Sequence, residues 1–134
     1  MDRTQCIAAL NDQLRRDHSY GKVVITRGIQ ALGHQAILDV LAAVAAFSEF
    51  TPDNDPHAEH DCAVMNVGDH RIIWKIDYYD TDLNFASDAP ANPAVTIRVL
   101  TIMLADEYCY SNALKSNLLE VSSLPDYDFQ GNDP

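Results

Sequence analysis

Between residues 61 and 79, apolar side chains alternate along the chain on both sides of a Gly68-Asp69 pair. That pattern has one local solution, a β-hairpin. Side chains of a strand point to its two faces in turn, so a two-residue loop at Gly68-Asp69 fixes every cross-strand pair. Met65 then stands opposite Ile72, Ala63 opposite Trp74, and Asp61 opposite Ile76 on one face. The other face pairs Val64 with Ile73, Cys62 with Lys75, and His60 with Asp77. Trp74 and Ile76 belong to the core side.

The segments around the hairpin supply what covers it. Over residues 4–16, Ile7, Leu10 and Leu14 recur at i, i+3 and i+7 with Asn11, Asp12, Arg15 and Arg16 between them, which predicts an amphipathic helix. Residues 22–26 are rich in β-branched side chains and read as a short strand closed by Arg27-Gly28. Over 34–47, Ile37, Leu38, Leu41, Val44 and Ala45 form a helical stripe after a break at Gly33. Residues 51–60, with two prolines and no apolar period, form a loop, and the polar, turn-rich stretch 81–91 is a second one. Residues 94–108 have the β-branched content of a strand. However, Asn92-Pro93 matches a helix cap followed by proline, and Val95-Val99-Met103 and Leu100-Leu104 are spaced by four. The spacing predicts a buried helix over 93–108. A further helical piece with Leu114, Leu118 and Val121 is expected from about residue 111.

These elements predict one α+β domain over residues 1–124, followed by a flexible acidic tail, 125–134. Its sheet would be small and antiparallel, a hairpin plus one strand at 22–26, packed by three to four helices.

Charge narrows the function. The 134 residues hold 20 Asp and Glu against 9 Lys and Arg, a formal charge of −11. It is unevenly distributed: residues 1–27 carry five bases and three acids, whereas residues 49–88 alone carry ten acids and two bases. Nucleic-acid affinity comes mainly from cations that neutralise phosphates, so direct DNA or RNA binding is excluded as an expectation. The converse is an acidic face that engages a basic protein surface. Cys6, Cys62 and Cys109 form no CxxC pair, which argues against a disulfide framework or a zinc ribbon. The first residues lack a secretory apolar region, and the longest apolar run, 40–47, is too short to span a bilayer. A cytoplasmic protein without a membrane partner is expected.

Chemistry has two places to sit. The polar run 53–61 fails as a calcium loop, because Ala58 and Val64 stand where glycine and glutamate are needed. It also fails as a zincin helix, because His57 and His60 are three apart. An irregular metal site of His57, Glu59, His60 and Asp61 is the alternative to the simpler reading, a rigid loop whose Asp and Asn side chains cap their own backbone. The second place is the hairpin register. His60 opposite Asp77, with Lys75 beside it, is the pairing a general base uses, and Cys62 opposite Lys75 would be a nucleophile if exposed. Tyr79 is the surface candidate of the 74–80 aromatic run. Arg27 is expected to serve as an internal ion-pair partner.

Leu10-Asn11-Asp12, Thr26-Arg27-Gly28, Asp53-Asn54-Asp55-Pro56, Glu59-His60-Asp61, the run WKIDYYD at 74–80, the run RVLTIML at 98–104, and Tyr108 together resemble the bacterial family catalogued as domain of unknown function 3768. The resemblance covers roughly residues 10–108. It implies a small intracellular bacterial domain and transfers no catalytic role. His57 and Cys62-Ala63 depart from the aromatic and Phe-Gly types of those places, which counts against a metal role for His57. Families of this kind often travel on plasmids and phages, which implies an accessory function such as interference with a host defence system. The expectation is therefore a non-enzymatic binding protein without a cofactor. Asp53, Asp55, Glu59, Asp61, Asp77, Tyr79, Asp80 and Asp82 would face a basic protein surface, as in an anti-CRISPR-like inhibitor of a nucleic-acid-binding or defence complex. The alternative is a small hydrolase-like or metal-dependent enzyme built on the His60, Asp77 and Lys75 group or on the metal set above.

Overall fold

In the computed structural model, which describes residues 2–110 and 118–124, the hairpin has the register its alternation dictates. β2 (Cys62–Val67) pairs antiparallel with β3 (His70–Tyr79), with Met65 opposite Ile72, Ala63 opposite Trp74 and Cys62 opposite Lys75. The Ile76 N–H donates to the Asp61 carbonyl (2.7 Å), which extends the pairing by one step. There it stops. His60 has φ +56° and lies outside the ladder, so the expected His60–Asp77 pair does not form.

The sheet is larger than the expected hairpin plus one strand, and it is mixed. Five strands lie in the order β2-β3-β4-β1-β5. β1 (Gly21–Ile25) runs parallel to β4 (Ile97–Leu104), and β5 (Leu119–Glu120) pairs antiparallel with β1. Gly21 is required by this packing: a Cβ there would lie 2.2 Å from the Arg98 carbonyl oxygen.

β4 corrects the helix expected over 93–108. A spacing of four is an even number, so Val95-Val99-Met103 and Leu100-Leu104 fit one face of a strand as well as one stripe of a helix. The nearly continuous apolar pattern arises because β4 is central: Leu100 and Ile102 are buried on one face, Thr101 and Met103 on the other. Asn92 does use its side chain as a cap, accepting from the Ala94 N–H (3.0 Å), but it closes a turn that leads into extended chain. A 3₁₀ turn, Ala105–Tyr110, follows the strand. The helix expected from about residue 111 falls largely outside the described residues, as does the tail 125–134. The described part of that helix is β5 and a 3₁₀ turn, Val121–Ser123.

Three α-helices among the described residues complete the α+β fold. α1 (Arg3–Asp17) starts on a capping box between Asp2 and Gln5, α2 (Arg27–Gln30) is a single turn, and α3 (His34–Ala46) follows Gly33. Leu14 of α1 and Ile37, Val40, Leu41 and Val44 of α3 bury the face of the sheet that carries Val23, Ile25, Ile72, Trp74, Leu100 and Ile102. Among the described residues, no helix is long and apolar enough to cross a membrane.

His18 closes α1 with a left-handed backbone (φ +61°) and an N–H bond to the Leu14 carbonyl (2.9 Å). Burial, opposed by nearby Asp17, lowers its imidazole from 6.5 to about 4. The folded protein therefore holds this ring neutral, while the unfolded chain protonates it. Its contribution to stability is full above 6.5 and is lost as the pH falls toward about 4, a change of up to ~3 kcal/mol. His18→Asn, which tolerates the left-handed cap, is expected to lose that part of the pH dependence. Chemical denaturation of both proteins across this range checks it, and parallel profiles would count against the assignment.

Candidate functional site

Strand directions bring the acidic segments together. β2 starts, β3 ends, and β4 and β1 start at the same end of the sheet, so the loops 48–61, 80–96 and 18–20 all emerge there. The first two loops contain eight of the ten acids of residues 49–88 and no Lys or Arg. Asp69 sits at the opposite end, in the hairpin turn, and Asp77 lies within β3.

Two buried arginines hold these loops in place. Arg98, at the start of β4, is 0% exposed. Its Nε donates to Asn11 Oδ1 (2.8 Å), its Nη2 donates to the Pro90 carbonyl, and the guanidinium lies 5.1 Å over the Tyr78 ring. Asn11 passes the connection on. Its Nδ2 donates to the Glu59 carbonyl (2.9 Å) and to Tyr78 Oη (2.9 Å), and the Tyr78 hydroxyl donates to Glu59 Oε1 (2.8 Å). Burial lowers the Arg98 pKa, and Tyr78 and Glu59 oppose that shift. Burial also raises the Tyr78 phenol, with Glu59 adding to the effect against the Asn11 hydrogen bond. A guanidinium stays charged in such a place. Arg98 thus touches loop 80–96 directly and loop 48–61 through Asn11.

Arg15, one turn further along α1, is 1% exposed. Its Nη1 donates to the carbonyls of Val44 (2.7 Å) and Phe47 (3.0 Å), and its Nη2 pairs with Asp12 Oδ1 (2.7 Å). The guanidinium lies 5.3 Å over Phe50 and 5.0 Å over Trp74. Asp12 in turn engages His60, whose Nδ1 is 2.9 and 3.1 Å from the two carboxylate oxygens. The His60 ring stacks flat on Phe50, with centroids 4.0 Å apart. Asp55, 6% exposed, accepts from the His60 backbone N–H (3.3 Å) and lies 3.8 Å from Nε2.

This geometry reorders the expected site residues. His60 meets Asp12 of α1, on the helix side of the sheet, whereas Lys75 and Asp77 pair with each other (2.8 Å) on the far face. The sheet lies between the two groups. His60 Nδ1 is taken up by Asp12, so the ring fastens the loop to α1, while Nε2 lies 3.8 Å from Asp55, beyond hydrogen-bond reach. Cys62 is exposed on the far face, but burial of the sulfur, together with Asp61 and Asp55, raises its pKa and keeps the thiol protonated. Among the described residues, no three His, Cys, Asp or Glu side chains come together to hold a metal, the set His57, Glu59, His60 and Asp61 included.

The expected binding set divides by direction. Asp55 and Glu59 are spent on internal contacts. Asp61 is half-buried, and burial, with Glu59 and Asp55 nearby, raises its carboxyl. Half-buried Tyr79 forms a bridge to Ala86. Asp80 caps its own loop, accepting from the N–H groups of Asp82 (3.2 Å) and Asn84 (3.1 Å). Asp53 and Asp82 face solvent, as do Glu49 and Asp88, which lie outside the expected binding set.

Arg27 is exposed and forms no ion pair among the described residues. Its neighbours instead receive Glu107, whose carboxylate accepts from the Thr26 hydroxyl (2.6 Å), the Gly28 N–H (2.9 Å) and the Leu104 N–H (2.9 Å). A Cβ at Gly28 would lie 2.6 Å from that carboxylate. This clip fastens the far ends of β1 and β4.

The family model described as protein of unknown function (DUF3768) matches residues 25–107. No curated protein and no solved structure matches the chain.

Arg98→Ala is expected to cost roughly 3 kcal/mol, because it leaves Asn11 Oδ1 and the Pro90 carbonyl buried without a donor. Amide hydrogen exchange should quicken in loops 48–61 and 80–96 before it does in β3 and β4. A denaturation midpoint close to that of the parent protein would show that the guanidinium does not hold the loops.

Proposed function

The chain belongs to the DUF3768 family, and we propose that this member is a non-enzymatic binding protein whose loop end docks on a basic protein surface. The observation that carries the reading is the convergence, at one end of the sheet, of two loops that hold eight acids and no Lys or Arg. Hydrogen bonds to Asn11, Asp12 and Arg98, with the Arg15 guanidinium over Phe50, hold these loops in place, so little chain freedom is lost when a partner binds. Glu49, Asp53, Asp82 and Asp88 supply the exposed charge. Charge of one sign over a surface speeds encounter with the opposite sign and repels phosphate and anionic lipid.

The partner that fits is a protein whose own Lys and Arg face nucleic acid. Covering such a surface competes with phosphate for the same cations, which is the chemistry of an accessory inhibitor of a nucleic-acid-binding or defence complex in the bacterial cytoplasm. The enzymatic alternative has less to stand on, since His60 pairs with Asp12 on the helix side of the sheet while Lys75 and Asp77 pair on the far face.

A pull-down with the full chain and with Asp53→Lys/Asp82→Lys/Asp88→Lys, read by mass spectrometry, tests this. The parent protein is expected to retain basic proteins that elute between about 0.1 and about 0.5 M salt, and the triple variant to lose them. All three positions are exposed, so the variant should keep the parent's melting behaviour. Identical capture by both proteins would remove the proposal.

A further inference from the structure

We infer, building on the binding function just proposed, that Leu83 and Phe85 are the apolar anchor of the docking surface and that the partner presents a basic amphipathic helix. Phe85 is 73% exposed and Leu83 40%. Seven large hydrophobic side chains are exposed among the described residues, and four of them, Tyr20, Leu83, Phe85 and Val95, sit in the loops of the acidic end. A single exposed apolar residue needs no explanation, whereas a group of them at one end ringed by charge marks a contact surface.

The loop presents this pair rigidly. The Asp80 N–H donates to the Phe85 carbonyl (2.8 Å), the Leu83 N–H donates to the Asp80 carbonyl (3.0 Å), and the Ser87 N–H donates to the Tyr78 carbonyl (3.0 Å). The Asp80 side chain caps Asp82 and Asn84 and the Tyr79–Ala86 bridge closes the base, so the backbone that carries Phe85 is tied down on both sides. Leu83 has φ +60°, where glycine or asparagine is at ease, so it places a bulky apolar side chain on backbone that disfavours it. An aromatic ring brings large contact area for few torsions, and an apolar centre inside a charged rim is the usual anatomy of a binding hot spot.

Charge selects the occupant. Asp80, Asp82 and Asp88 flank the anchor in the same loop, and a second copy of this chain would bring those carboxylates against themselves. Anionic membranes are repelled for the same reason. A helix with an apolar stripe between rows of Lys and Arg answers both parts of the surface at once.

The test uses the full chain with two peptide probes of equal charge, an amphipathic lysine–leucine helix and an oligolysine, titrated by fluorescence anisotropy. The amphipathic peptide is expected to bind at least about tenfold more tightly. Phe85→Ala should remove most of that difference and leave oligolysine binding unchanged. Leu83→Asn, which suits the left-handed backbone, should move binding the same way without loss of thermal stability, which separates anchoring from folding. If both variants bind the amphipathic peptide like the parent while Asp82→Lys/Asp88→Lys abolishes binding, the anchor is wrong and the acidic docking surface stands. If neither peptide binds the parent protein, the docking surface itself is wrong, and the anchor with it.

Discussion

The arrangement of the loop end depends on a charge buried without a carboxylate at contact distance. Arg98 enters the core from the first turn of a central strand, where desolvation penalises it, and it is compensated by neutral oxygens of Asn11 and Pro90 and by the face of Tyr78. One of its nitrogens, Nη1, has no hydrogen-bond partner among the described residues, so the site is not optimised for stability alone. A buried ionic group of this kind contributes specificity more readily than it contributes stability. An apolar residue would pack in the same volume, but it would leave α1, Tyr78 and the two loops without a common partner. Arg15, one turn later and paired with Asp12, joins the end of α3 to that carboxylate and, through it, to His60.

These cations divide the acidity of the chain into two populations. Asp12, Asp55 and Glu59 face inward, against Arg15, His60 and Tyr78, and are structural. Glu49, Asp53, Asp82 and Asp88 face outward, the first two from the loop the inward group ties down and the last two from a loop held by Arg98 and Asp80. These internal contacts keep the outward acids in position, so a surface of like charges does not have to spread its own loops apart. A net charge alone would not distinguish this from a solubilising coat. Under the proposed docking function, the exposed Leu83 and Phe85 in the charged loop are what separates the two, because solubility gains nothing from an exposed ring.

Much of the fold was legible because its periods were unambiguous. The hairpin register followed from alternation about Gly68-Asp69, and α1 and α3 followed from apolar residues three and four apart. β4 was misread because a fully covered strand loses its alternation, and four-residue spacing then fits both a helix and a strand. β-Branched side chains were the better guide there, since Val95, Thr96, Ile97, Val99, Thr101 and Ile102 crowd a helix and suit a sheet. Of the site, the polar run 53–61 and the acidic excess were visible. The roles of Asn11, Arg15 and Arg98 were not, because each acts on residues far away in sequence, as when Asn11 joins Arg98 to Glu59.

The sequence by itself determined the local geometry that short-range sterics and burial control: the hairpin pairs, two of the helices, the inward placement of Trp74, and the acidic excess of residues 49–88. Tertiary structure decided everything that needs two distant segments at once. It made β1 and β4 parallel neighbours, so that loops far apart in the chain share one end of the sheet. It also gave His60 to Asp12 instead of Asp77. A ladder extrapolates only while the backbone stays extended, and the left-handed turn at His60 ends it one residue before the expected pair could form.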